Sequence, residues 1–267
     1  PQQRQQAHQA GGANALGGAL VGWMGAPVAY VIATTLSLLA AALLAGLPAD
    51  APKPVARRRL WTELREGAAF VGKHPLLRPV LATAVFFNTA WFVLQAVYVV
   101  YAIERLGLTA AGVGVTLGVY GGGMLAGALA APWLARRLSF GAMIASGPLS
   151  ALAASAILLS TLVLPSGIWA AVGFFLFGAG PILWTITTTT LRQAVTPNAL
   201  LGRVSAVILT ATFGARPVGA LIGATLAARV SLDACLWVST AGFLVQFLVL
   251  FASPVRRLRS QPEAAGV

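Results

Sequence analysis

The chain has 267 residues, of which 58% are hydrophobic and 9% charged, with a formal net charge of +12. A soluble domain carries roughly 25% charged residues, so this composition excludes an ordinary water-facing surface and makes lipid the main solvent. The basic residues sit in short segments between apolar runs, which reads as the positive-inside bias of a membrane protein and not as a nucleic-acid footprint.

Pro1–Gln9 is polar, and Ala10–Met24 is glycine-rich and too short for a complete span. Seven apolar runs follow: Ala26–Leu47, Leu77–Tyr101, Ala111–Leu134, Ala142–Leu164, Ile168–Leu191, Val204–Ala228 and Ala234–Ala252. Each has the length of a membrane helix and lacks the alternation of a barrel strand. The predicted class is an all-α polytopic helical bundle. The start at Pro1, with no signal-peptide pattern after it, reads as a fragment or a mis-set gene start.

Between the first two runs, Pro48–Pro54 reads as an extended linker and Leu60–Lys73 as a short amphipathic helix ended by Pro75. That helix suits either the headgroup plane or a position packed under the bundle. Lys53, Arg57, Arg58, Arg59, Arg65, Lys73 and Arg78 share its side of the membrane. By alternation so do Arg136, Arg137, Arg192, Arg203, Arg256, Arg257 and Arg259, whereas the opposite side has only Arg105 and Arg229. This asymmetry places the segment and the C-terminus in the cytoplasm.

Within the spans, Gly114, Gly118 and Gly122, the pair Gly123 and Gly127, and the pair Gly219 and Gly223 have the spacing of close helix packing. Gly147-Pro148 and Gly180-Pro181 interrupt two runs, as helices that border a cavity often are. Arg216 lies near mid-depth, where a charge must face the bundle interior or a wet cavity, as part of transport or as a structural bond. Asn88, Trp91, Phe92 and Gln95 share a helical stripe, read either as the lining of an amphipathic pocket or as interhelical hydrogen bonding. Tyr120, Trp184, Thr187 and Thr188 are further candidates, although Thr187–Thr190 could bond back to their own helix. The candidate substrate-cavity set is thus Asn88, Trp91, Gln95, Trp184, Thr187 and Arg216.

The chemistry these residues exclude is equally informative. Cys235 is the single cysteine, His8 and His74 are far apart, and no CxxC or HExxH occurs. No metal site, cofactor or catalytic residue is predicted. A GxxxxGK[ST] loop is absent too, which disfavours an ATP-driven pump and leaves an ion gradient, with the proton as the expected coupling ion.

Three stretches carry a resemblance. They are Leu64-Arg65-Glu66-Gly67 through Phe70-Val71 to His74-Pro75-Leu76-Leu77-Arg78; Arg192-Gln193, Val195-Thr196-Pro197 and Leu201-Gly202-Arg203-Val204; and Phe213-Gly214-Ala215-Arg216-Pro217 with Gly219-Ala220-Leu221. Together they resemble bacterial major facilitator superfamily exporters of the enterobactin-exporter and macrolide-efflux branch. The resemblance implies a bacterial inner-membrane protein that exports small amphipathic molecules by alternating access. It also implies a division into 1–47, the end of an N-terminal half with a partial fifth helix; 48–76, the linker; 77–253, a six-helix C-terminal half; and 254–267, a cytoplasmic tail. The first four helices would then be missing. Arg136, Arg137, Arg192 and Arg203 would belong to gating loops. Two departures stand out: the loop at Arg136-Arg137 lacks the family's aspartate, and Ala13–Gly18 lacks the Gly-Pro of the exporter motif. The alternative reading is a non-transporting half-protein that packs with a partner membrane half.

Overall fold

The computed structural model describes residues 26–45 and 60–262, all of it helix or short connection. The helices are α1 (Ala26–Ala45), α2 (Leu60–Lys73), α3 (Leu77–Glu104), α4 (Ala110–Ala135), α5 (Phe140–Ser160), α6 (Gly167–Val195), α7 (Asn198–Arg229) and α8 (Leu232–Phe251), closed by a 3-10 turn at Pro254–Arg257. Among the described residues, six helices, α3 to α8, are long and apolar enough to cross a membrane. The partial helix at Ala10–Met24, the linker Pro48–Pro54, and Lys53 and Arg57–Arg59 lie outside the described residues.

Local chemistry sets the helix starts. Thr109, Ser139 and Ser231 each accept a backbone N–H three residues on, at 3.2, 3.2 and 3.0 Å, and so cap α4, α5 and α8. His74 does the same for α3, where its Nδ1 accepts from the N–H groups of Leu76 and Leu77 at 3.2 and 3.4 Å.

Neighbours in the chain are mostly not neighbours in space. Helix α4 packs on α6 as α7 packs on α3, α5 packs on α6 as α8 packs on α3, and α5 meets α8. Exchanging α3 with α6, α4 with α7 and α5 with α8, each three places on, maps one set of contacts onto the other. Since three is odd, paired helices run in opposite directions: the six spans form two inverted three-helix repeats, an arrangement common in secondary transporters. The glycine pairs make this packing possible. A Cβ at Gly123 or Gly127 of α4 would overlap the carbonyls of Phe175 or Ala179 on α6. In the other repeat, a Cβ at Gly219 of α7 would overlap the Thr89 carbonyl, and one at Gly223 would lie 2.7 Å from the Val93 carbonyl, both on α3. Without these side chains the backbones approach directly, which in lipid is a main source of helix association. Gly114, Gly118 and Gly122 behave otherwise: nothing stands within 4 Å of where their Cβ atoms would be, so this stripe faces open space.

The core is aromatic and lies toward one end. Trp91 stacks on Tyr120 at 5.4 Å and meets Phe177 edge-on at 4.8 Å, while Tyr98, Phe174 and Phe243 complete the cluster. Buried hydroxyls find partners across helices, as in Tyr98 Oη to Thr116 Oγ1 at 2.6 Å and Ser239 Oγ to the Ala90 carbonyl at 2.9 Å. The opposite end gathers the starts of α3, α5 and α7 with the ends of α4, α6 and α8, and it carries Arg78, Arg136, Arg137, Arg203, Arg256, Arg257 and Arg259. We call it the basic end.

Helix α2 packs beneath this end. Gly67 lies against the Arg203 backbone of α7, where a Cβ would be 2.8 Å from the carbonyl oxygen. Val71 is buried with Leu77 and Val204, and Arg203 bridges Glu66 at 2.7 Å and Glu63 at 3.6 Å. Of the two positions open to this helix from sequence, packing under the bundle is the one observed. Trp61, at 79% exposed, lies on its outer face.

Burial holds the His74 imidazole below its ordinary value of 6.5, and the neutral ring is the form that can accept at Nδ1. A depressed folded-state value means stability that is present above 6.5 and lost as pH falls through the folded value. The melting temperature in detergent is therefore expected to drop between pH 7.5 and 5.5. His74→Asn, which keeps an acceptor but cannot titrate, should flatten that part of the profile. An unchanged slope would show that the cap is not the titrating element.

Candidate functional site: a central cavity between the six spans

A cavity of about 370 Å³ runs between α3, α4, α5, α6, α7 and α8. It extends from Leu77 and Arg192 near the basic end to Asn88, Tyr120 and Arg216, roughly 16 Å deeper by helical rise. The Trp91–Tyr120 stack and the aromatic cluster close it beyond that depth. Its walls are mixed: Val80, Phe87, Ile182, Trp184 and Phe213 alternate with Thr83, Thr185, Thr188, Thr189 and Gln246.

At the deep end Arg216 is tightly placed. Its Nε donates to Asn88 Oδ1 at 3.1 Å, and Asn88 Nδ2 donates to the Ala84 carbonyl at 2.9 Å, which fixes the amide so that its oxygen faces the guanidinium. The guanidinium carbon lies 4.0 Å from the Phe213 ring centroid and 5.5 Å from that of Phe92. The charge is thus held by one amide and two aromatic faces. No carboxylate pairs with it among the described residues.

The sequence-derived candidates divide. Asn88, Trp184 and Arg216 line the cavity. Trp91 does not: it is buried one turn deeper on the same face, inside the aromatic cluster. Gln95, half-buried and nearly two turns beyond Asn88, is not part of the lining either. Thr187 faces away from the cavity. It donates to the Leu183 carbonyl at 2.7 Å and borders a second, more apolar recess between α4, α5 and α6, while Thr185, Thr188 and Thr189 of the same helix face inward. Thr185, Thr187, Thr188 and Thr190 bond back to the carbonyls four residues earlier.

The four arginines assigned to gating loops do not gather. Arg136 caps α4 and is exposed, Arg137 lies over the Trp133 ring at 4.5 Å, and Arg203 pairs with α2. Arg192 instead lines the central cavity. Its place at the end of a long apolar run made it look like a loop residue, but α6 continues through Val195. Gly147-Pro148 and Pro181 border the cavity as expected, within helices that continue past both prolines. At these sites Gly147 lies under Trp184, and Ser150 Oγ donates to the Leu176 carbonyl at 2.7 Å, locking α5 to α6.

A polar, arginine-bearing cavity at the middle of an inverted three-helix repeat defines a membrane transport protein of the major facilitator type. The chain belongs to the family described as transmembrane secretion effector, which matches residues 7–265. No characterised protein matches it significantly.

Proposed function

We propose that the protein exports small amphipathic organic molecules by alternating access, with its six-helix bundle forming one wall of the transport path. The observation that carries this reading is the central cavity, lined by Trp184, Arg192 and Arg216 and bounded at depth by the Trp91–Tyr120 stack. The arginine bias puts the basic end in the cytoplasm of a bacterial cell, with Arg192 on the cytoplasmic side of the cavity. The exposed glycine faces of α4 suit close packing against a second membrane half. No Asp or Glu lines the cavity, so a proton-coupling carboxylate would belong to that second half.

Single cysteines in a Cys235→Ser background test orientation and site together. A cysteine at Thr189 should react from the cytoplasmic face and be protected by a transported dye, whereas one at Leu106 should react only from outside. Reaction of both from one face would overturn the topology. Lack of protection by any compound that cells expressing the protein export would overturn the site.

A further inference from the structure

The central cavity holds two guanidinium groups and no acid. Arg192 and Arg216 both belong to its lining, and no aspartate or glutamate does. Arg216 spends its Nε on Asn88, and no carboxylate among the described residues pairs with its charge. Arg192 is less satisfied still: its Nε is buried and has no acceptor among the described residues. Two further polar groups on the same lining are also orphaned. Gln246 is 2% exposed with Oε1 unpaired, and Thr83 is fully buried with Oγ1 unpaired. A buried polar atom without a partner is destabilising, so α3, α6 and α8 each contribute an unpaired group, and α7 adds the Arg216 charge. The rest of the wall, from Leu77 and Val80 to Phe87 and Trp184, suits an apolar or aromatic body.

We infer that this cavity selects an organic anion, a carboxylate or phosphate on an apolar body that also carries a hydroxyl or amide. The inference rests on the reading of the cavity as the substrate site. The planar guanidinium of Arg192 would take the anion with two parallel donors, and Arg216 supplies a second positive field from depth. Gln246 and Thr83 would meet the ligand's neutral polar group. Arg192 is then a specificity-determining residue and not a gating one.

The test uses the protein in nanodiscs, titrated calorimetrically with 6-hydroxy-2-naphthoate, the matching amide and the matching methylammonium, with empty nanodiscs as blank. The anion should bind at least about tenfold tighter than the amide, the cation should bind weakest, and added salt should weaken only the anion. Arg192→Gln should erase the preference for the anion while leaving amide affinity in place, and Arg192→Lys should keep part of it. Should Arg192→Gln fail to fold, Gln246→Leu serves instead: it should weaken hydroxynaphthoate relative to plain 2-naphthoate. Equal binding of anion and amide, or preference for the cation, overturns the anion assignment while the cavity stands as a binding site. Binding that Arg192→Gln, Gln246→Leu and Trp184→Ala all leave unchanged, or no binding of any probe, overturns the substrate-site reading itself.

Discussion

Gly178→Ala is expected to be the most damaging single methyl group in the protein. A Cβ there would overlap the Tyr120 carbonyl and sit 2.7 Å from the Met124 backbone nitrogen, so the obstacle is the α4 backbone, not a side chain that can swing aside. Overpacking a close contact costs typically about 1–3 kcal/mol, against a total stability of about 5–15 kcal/mol. Here the strain also propagates, because Gly123 and Gly127 hold the same α4–α6 seam. Gly178→Ala should lower the melting temperature in detergent sharply, and Gly178→Val should yield no monodisperse protein. Gly118→Ala is the matched control. Nothing among the described residues lies within 4 Å of its added Cβ, and alanine is favoured over glycine in a helix by up to about 1 kcal/mol, so in the six-helix bundle purified without a second half its melting temperature should hold or rise. Equal behaviour of Gly178→Ala and Gly118→Ala would refute the close seam.

That contrast also marks where sequence reading stops. Gly123 and Gly127 were legible as packing residues, and so were Gly219 and Gly223, because small residues four apart are what a lipid-embedded contact needs. Gly114, Gly118 and Gly122 have the same spacing and face open space. In a soluble helix the apolar stripe would tell the buried side from the exposed one. In lipid both sides are apolar, so periodicity locates a helix and says little about its rotation. Thr187 was misplaced for this reason: a residue one step along a helix turns by 100°, enough to put Thr188, not Thr187, on the inner wall. Trp91 shares the face of Phe87 and Asn88 and lies outside the cavity because it sits one turn deeper, in the aromatic cluster. Span limits were readable to within a few residues, although α6 runs on to Val195 and α7 starts at Asn198, not Val204. The spatial order of the helices was not, since α3 and α4 are consecutive yet each packs mainly on helices from the other repeat. Nothing local in a sequence records that exchange. Arg203 and Glu66, by contrast, sit in two of the stretches that carry the family resemblance, and the structure joins them at 2.7 Å.

Arg216 should prove inseparable from Asn88. A lysine at this position would retain the charge, and a role by charge alone would let it retain transport. The geometry argues otherwise. Nε is the atom that donates to Asn88 at 3.1 Å, and the planar guanidinium is what lies over Phe213 at 4.0 Å. Lysine supplies neither. Arg216→Lys and Arg216→Gln are therefore both expected to cut export at least about tenfold, the equivalent of 1.4 kcal/mol. Stability should follow a different pattern. Asn88→Leu leaves the guanidinium without its acceptor, and Arg216→Leu leaves the Asn88 oxygen unpaired, so each should lower the melting temperature through an orphaned group, at about 1–3 kcal/mol. The double variant removes both partners and should cost less than the two losses added, with a coupling of about 0.5–3 kcal/mol. Such a double variant, stable but unable to export, would separate the structural bond from the transport role. Strictly additive stability losses would show that the 3.1 Å contact does not hold the pair together. Export by Arg216→Leu at the unaltered rate would remove Arg216 from the transport path and leave it only the structural bond to Asn88.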